Sequence, residues 1–478
     1  MVKRWWDVTD DHLWLRAGWD TLTPAPPNRN KLFLSRRANQ FSTDTPVLLS
    51  DDVRLRRERS FGIVQYRTLV YFLTAEATTI LERLVYPKTL VRLSTEIQHD
   101  GIAITPGDLG AFLQELFAVG VLVPATESQQ KSNATIYSMR VSVDPNMVYQ
   151  SPFGLELEIT NKCYRNCIYC AYESGPNPKI PCQVELSTEQ WFTVFDEIER
   201  NGVIAVELTG GDPFARNDIW EILTYADKKR IIMYINSDLS ILKTTDLERL
   251  QAIQHLAAIQ TSLDGATPEV ADASRGRGAW QITVKQLGLL SSLGIPIGVG
   301  TTVHKGNFNT VREIAELVSQ FDGQYYVGPM YPVGRGSRLW HLVLSPDEWD
   351  CAVRQFVEAV RIGLVMPADA LWHKLIDVVP ASNPVRDQVY ITNKADRTLR
   401  IDPTGAVYVS AKLRHWCPRF HTVGHVTTTS LQQIWEGSEQ LQELRSLASP
   451  SNPFRGIDIR EIPGALVRTE VIPTLSRL

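Results

Sequence analysis

Cysteine is scarce, six residues in 478, too few for the disulfide framework of a small secreted protein. Neither sign of charge dominates: 49 basic against 53 acidic side chains leave a formal net charge of −4, which argues against a bulk nucleic-acid binder. No uninterrupted apolar run approaches the roughly eighteen residues of a membrane span, and the opening MVKRWWDVTDDH lacks the apolar stretch of a signal peptide. Internal repeats and low-complexity tracts are lacking too. What remains is 44% hydrophobic and 21% charged residues over a length that suits about three domains, so a soluble, cytoplasmic, multidomain protein with large cores is expected.

The few cysteines are unevenly placed. Cys163, Cys167 and Cys170 fall within eight residues, whereas Cys182, Cys351 and Cys417 are scattered. Roughly one chain in a thousand of this composition would show such spacing by chance. Zinc needs a fourth ligand and usually arrives as two separated pairs, while three thiolates on one short loop can hold three corners of an iron–sulfur cubane. GLELEIT (154–160) predicts a strand, so NKCYRNCIYCAYESGP leaves its C-terminal end, where sheets of parallel strands gather their ligands. About forty residues on, VIAVELTGGDP (203–213) predicts a second buried strand, ending in Gly210 and Gly211, which let backbone approach a ligand closely.

Cys163-x3-Cys167-x2-Cys170 after a strand, followed by Gly210-Gly211-Asp212-Pro213, resembles the radical S-adenosylmethionine (SAM) superfamily. The resemblance covers 151–340 and implies an α/β core, a partial (βα)6 barrel. It implies that Cys163, Cys167 and Cys170 hold a [4Fe–4S] cluster with one iron open to SAM, and that a reduced cluster cleaves SAM to a 5′-deoxyadenosyl radical. Tyr169 matches the aromatic position along the adenine, and 210–213 the backbone that receives the methionine amino group, although Asp212 replaces the commoner glutamate. Ser262 and Asp264 match the SxDG that ends the fourth strand, and Arg275 resembles the arginine pairing with the SAM carboxylate, a task that suits its bidentate fork. Equally, RGRG could be only a loop with a solvated charge. YYVGPMYPVGRG (325–336) resembles the sixth strand, which implies that the backbone near Met330 flanks the adenine.

Upstream, residues 1–49 read as an arm rich in tryptophan (Trp5, Trp6, Trp14, Trp19). From 50 to 124, DVRLRRER, SFGIVQYRT and LVYFLT predict three strands, with Gly62 as a turn or bulge, and helices follow at about 75–86, 89–99 and 105–119. The last is apolar at Leu109, Phe112, Leu113, Leu116 and Phe117, one helical face. This order resembles the winged-helix (α+β) peptide-binding domain called a RiPP recognition element, RiPPs being ribosomally synthesised and post-translationally modified peptides. The resemblance implies that a leader peptide adds as a strand beside Val70, Tyr71, Phe72 and Leu73 and lies against Asp108, Phe112, Glu115 and Leu116. A winged helix could instead bind DNA, but 105–119 has no Lys or Arg for phosphate contacts. Residues 125–150 read as a linker.

Residues 341–478 are similar to a small SPASM extension, a region that holds auxiliary clusters, but degenerate. Asp402, Gly405, Gly424-His425-Val426 and Trp435 keep its outline, while Ser410 stands where a cysteine is expected and Cys417 alone remains within 398–437. One cluster is therefore expected. Cys417 is either a hydrogen-atom donor, as in peptide epimerases, or a buried thiol.

Together these parts imply a radical SAM enzyme that modifies a ribosomal precursor peptide, with an external electron donor and, where needed, a small accessory protein. Neither nucleic acid nor membrane is an expected partner. CIYCAYESGP and the cysteine-poor tail are most similar to the cyanobacterial splicease-type maturases, which excise a tyrosine-derived tyramine unit and leave an α-keto-β-amino acid. Cross-linking through thioether, ether or carbon–carbon bonds, and epimerisation, are alternatives. A non-catalytic peptide-binding chaperone is an alternative of another class.

Overall fold

In a computed structural model the described residues are 42–59, 61–126, 128–138, 149–177, 184–367, 390–391, 397–447 and 457–458. Trp5, Trp6, Trp14, Trp19 and Cys182 lie outside them. The chain divides into two compact units, one built mainly from 26–142 and the other mainly from 151–478.

In the first unit, β1 (Val47–Leu49) pairs antiparallel with β5 (Leu122–Pro124). Strands β2 (Val53–Arg57), β3 (Phe61–Tyr66) and β4 (Leu69–Thr74) form an antiparallel meander, followed by α1 (Ala75–Arg83), α2 (Leu90–His99) and α3 (Pro106–Val119). Each helix begins on a threonine (Thr74, Thr89, Thr105) whose hydroxyl oxygen accepts a hydrogen bond from a first-turn N–H, and α3 stops at Gly120 in the left-handed region. Leu109, Phe112, Leu113 and Leu116 of α3 pack into one core with Leu55 and Val64 of the sheet. Two expectations change here. Gly62 is no turn; it lies inside β3, where a Cβ would come within 2.0 Å of the Thr78 hydroxyl oxygen, so the missing side chain lets α1 approach the sheet. The tight turn instead follows Tyr66, at Arg67 with φ of 52°. Nor is 125–150 linker throughout: Thr135–Tyr137 forms β6, parallel to β2, with the Tyr137 hydroxyl accepting from the Arg54 guanidinium at 3.1 Å.

The second unit is built on six strands in sequential order, all parallel: β7 (Gly154–Thr160), β8 (Ala205–Gly210), β9 (Ile232–Asn236), β10 (Leu256–Ser262), β11 (Ile297–Val303) and β12 (Gln324–Pro329). Between and after them run α4 (Thr188–Arg200), α5 (Ile219–Lys228), α6 (Thr244–Gln251), α7 (Pro268–Arg275), α8 (Ala279–Ser292), α9 (Val311–Ser319) and α10 (Pro346–Arg361). This is the (βα)6 order. The sheet is open, because β12 pairs onward with β13 (Met366–Pro367) and β7 takes β15 (Thr398–Ile401) as its other neighbour. A short pair, β14 (Tyr390–Ile391) with β18 (Ile457–Asp458), stands apart.

Alternation along the strands sorts the two faces. Leu155, Leu157 and Ile159 of β7 and Val206 and Leu208 of β8 are fully buried, as are Trp191, Phe195 and Ile198 on the apolar face of α4. Glu156, Glu158 and Glu207 take the opposite face. Beyond β15 the chain makes β16 (Ala406–Tyr408), α11 (Ala411–Trp416), β17 (Gly424–His425), α12 (Leu431–Gly437) and α13 (Glu439–Leu447). Ser410, at the position where a cysteine was expected, caps α11 by accepting from the Leu413 N–H. Among the described residues no helix is long and apolar enough to cross a membrane.

Candidate active site at the strand ends

The loops leaving the C-terminal ends of the parallel strands enclose a cavity of about 390 Å³. Cys163, Cys167 and Cys170 line it, on the loop between β7 and α4. Burial pushes the Cys163 thiol up to about 12, and it raises Cys167 as well. Thiolates in so desolvated a place need a cationic partner, which iron supplies. Among the described residues no three His, Cys, Asp or Glu side chains converge as ligands of a single ion, whereas a cubane takes each thiolate on a different iron. The donor set therefore fits an iron–sulfur cluster better than a zinc knuckle.

Opposite this loop, Gly210 and Gly211 also line the cavity. Gly210 has φ of +114°, and a Cβ on Gly211 would lie 2.0 Å from the Lys162 carbonyl oxygen. Backbone bonds seal the contact: the Gly211 N–H donates to the Thr160 carbonyl at 2.7 Å and the Asp212 N–H to that of Lys162 at 2.9 Å. Gly211→Ala is expected to push β8 away from the cysteine loop and weaken SAM binding at least about tenfold, about 1.4 kcal/mol, measurable by equilibrium dialysis of the reconstituted protein.

Asp212 itself turns away. Its carboxylate accepts from the Ser237 hydroxyl at 2.8 Å and from the N–H groups of Asp238 at 3.0 Å and Phe214 at 2.9 Å. Burial and the neighbouring Asp238 charge push it up to about 7. The shortened acid thus ties the end of β8 to the turn after β9, and neither it nor Pro213 lines the cavity.

Ser262, Tyr169 and Arg275 do line it; Asp264 does not. Fully buried, Asp264 is the hub behind that wall. It accepts from the Tyr169 hydroxyl, from the Ser274 hydroxyl at 3.0 Å and the Thr302 N–H at 3.0 Å, and pairs with the Arg275 Nε at 2.7 Å. Burial works against the Arg275 charge, but Asp264, Tyr169 and Cys167 more than offset it. Part of the Arg275 fork is thus already engaged. Met330 is 1% exposed and donates its N–H to the Val303 carbonyl, while Pro329 and Tyr331 on either side of it reach the cavity. Cys417 is also 1% exposed, ends α11 and lines no part of the cavity; burial pushes its thiol up to about 11.

The sequence reading missed a band of polar groups on the opposite face of the strands. Arg400 of β15 pairs with Glu156 at 2.6 Å and donates to the Tyr172 hydroxyl at 2.8 Å, and Tyr172 donates to Glu156. The Tyr408 hydroxyl donates to Glu158, whose carboxyl is raised well above its ordinary value by burial and by Glu156. The signal was there: buried parallel strands read as continuous apolar runs, so the alternating glutamates of GLELEIT and AVELTG mark a lined interior.

Residues 157–318 match the radical SAM superfamily. The chain is 27% identical over 297 residues to the mycofactocin maturase MftC of Mycolicibacterium smegmatis, covering 62% of this chain and 73% of that protein. It is 26% identical over 330 residues to the PqqA peptide cyclase of Granulibacter bethesdensis, covering 66% and 81%. Among solved structures, SuiB of Streptococcus suis bound to its precursor peptide SuiA superposes with a TM-score of 0.59 at 14% identity, over 84% of this chain and 91% of that one, a likeness of fold. The cysteine loop and the glycine pair facing it accordingly belong to a radical SAM domain, whose cofactors are S-adenosylmethionine and a [4Fe–4S] cluster.

Proposed function

We propose that this chain modifies a ribosomally made precursor peptide, and that within this class it excises a tyrosine-derived unit from the peptide backbone. Its similarity to MftC and to the PqqA cyclase supports the class. The single observation that carries peptide recognition is the sheet order β4-β3-β2-β6, which among the described residues leaves β4 at an edge where an extended peptide can add as a strand. Val70, Tyr71, Phe72 and Leu73 belong to that strand. On α3, Asp108 and Glu115 are exposed and would border the peptide, while Phe112 and Leu116 are buried in the core and would support α3 from behind. We read this unit as a winged-helix recognition element and 341–478 as a degenerate SPASM-like extension.

When bound, the cluster and SAM supply a one-electron cleavage that gives a radical able to take hydrogen from an unactivated carbon. We assign the cluster to Cys163, Cys167 and Cys170. Gly210 and Gly211 hold the backbone to which SAM docks, and Ser262 and Arg275 offer donors to its carboxylate. Splicing is favoured over cross-linking because a cross-link leaves an electron that an auxiliary cluster often takes back, and Cys182, Cys351 and Cys417 are too few for an all-cysteine cubane. Cys417, set away from the cavity, gives no support to epimerisation.

Anaerobic incubation with SAM, reductant and the precursor peptide encoded beside this protein, in deuterated water, tests the reading by intact peptide mass. A large mass loss with the termini still joined is expected. Loss of two hydrogens alone would replace excision by cross-linking, deuterium gain alone by epimerisation, and an unchanged peptide with intact SAM would leave a binding protein.

A further inference from the structure

Loop 163–175 carries the three cysteines but contains no helix or strand; its own turn bonds, from the Cys170 N–H to the Cys167 carbonyl and from the Glu173 N–H to the Cys170 carbonyl, are long at 3.3 Å, and its carbonyls accept from outside the loop as well. Three of them find one residue. Arg335, in the short 3-10 turn Gly334–Arg338 beyond β12, donates Nη1 to the Cys167 carbonyl at 2.6 Å, Nη2 to the Ser174 carbonyl, and its backbone N–H to the Cys170 carbonyl at 2.9 Å. The contact leaves no room for a side chain on one flank and little on the other. Gly334 has φ of +56°, and a Cβ there would lie 2.3 Å from the Ala171 carbonyl oxygen; one on Gly336 would lie 3.2 Å from the Tyr169 Cα.

We propose that Arg335 is a positioning residue that holds the three-cysteine loop in its cluster-binding shape before any metal arrives. Arg335 does not line the cavity, so it acts through the loop. Its planar fork spans two carbonyls seven residues apart in the chain from two separate nitrogens, which fixes the width of the loop; a lysine has all its donors on one rotatable nitrogen and cannot impose that spacing. The backbone bond from the same residue anchors the middle of the loop, next to the third cysteine. Thiols arranged in this way avoid ordering the loop during cluster insertion.

The proposal rests on the assignment of the cluster to these cysteines, so the test begins without metal. Hydrogen exchange is followed by mass spectrometry in the metal-free parent, Arg335→Gln and Arg335→Lys. In Arg335→Gln the amides of 163–175 are expected to exchange at least about tenfold faster, with those of β7 and β8 unchanged and Arg335→Lys intermediate. After reconstitution, iron release to a ferrous chelator should accelerate in the same order. Loop protection equal to the parent's in both variants would overturn the proposal. So would an equal loss of protection in β7 and β8, which would make the arginine a support of the whole sheet. Should Arg335→Gln not fold, Arg335→Lys carries the same two readings. If instead the cluster assignment is wrong, the reconstituted parent will lack a Cys163-dependent iron–sulfur electron paramagnetic resonance signal, whatever the exchange shows.

Discussion

Cys163→Ala is expected to abolish reductive cleavage of SAM, with 5′-deoxyadenosine formation falling below about a thousandth of the parent rate, at least 4 kcal/mol on the barrier. Iron content should fall with it. Two remaining thiolates cannot hold three corners of a cubane, and the Cys163 side chain sits in a half-buried position whose burial already resists a lone thiolate. Far-ultraviolet circular dichroism should be unchanged, because the sheet beneath the loop does not depend on this side chain. Continued 5′-deoxyadenosine formation at the parent rate would remove the cysteine loop from the chemistry.

Asp264→Ala is expected to damage stability more than any other single change at the site. It removes a carboxylate that is fully buried and accepts from Tyr169, Ser274, Arg275 and the Thr302 backbone. The Arg275 guanidinium would remain, 13% exposed and without its counter-charge. Removing one partner of a buried pair costs about 3–5 kcal/mol, and the melting temperature should drop by on the order of 10 °C. A melting point within a degree or two of the parent's would show that Arg275 relaxes to other partners. Because Tyr169 lies between two of the cysteines, the same variant should also speed alkylation of the thiols in metal-free protein.

Much of the cavity's lining was legible because it is local in sequence. Cys163, Cys167 and Cys170 share one loop, and Gly210 and Gly211 end the next strand; spacing and strand pattern put each at a strand end, the family resemblance joined them in one site, and both line one cavity. What escaped were relations made by folding. Nothing within SxDG says that its aspartate turns inward to hold Tyr169 and Arg275 while its serine faces the cavity. Arg335 stands 168 residues from Cys167, and Arg400 stands 228 from Tyr172, distances at which no periodicity speaks. In the first unit the apolar face of α3 was plain from its spacing, but the same pattern could not say that Phe112 and Leu116 would be spent on the core. β6 was hidden because a three-residue strand carries too short an alternation to stand out from a polar stretch.

The edge at β4 has a cost in solution. With β6 covering β2, β4 is the end strand of the four-stranded sheet among the described residues, a position from which a strand can pair with an added extended chain, including a second copy of itself. Protein kept without peptide should therefore drift toward soluble oligomers and precipitate as concentration rises, and storage with an occupant on that edge should slow the loss.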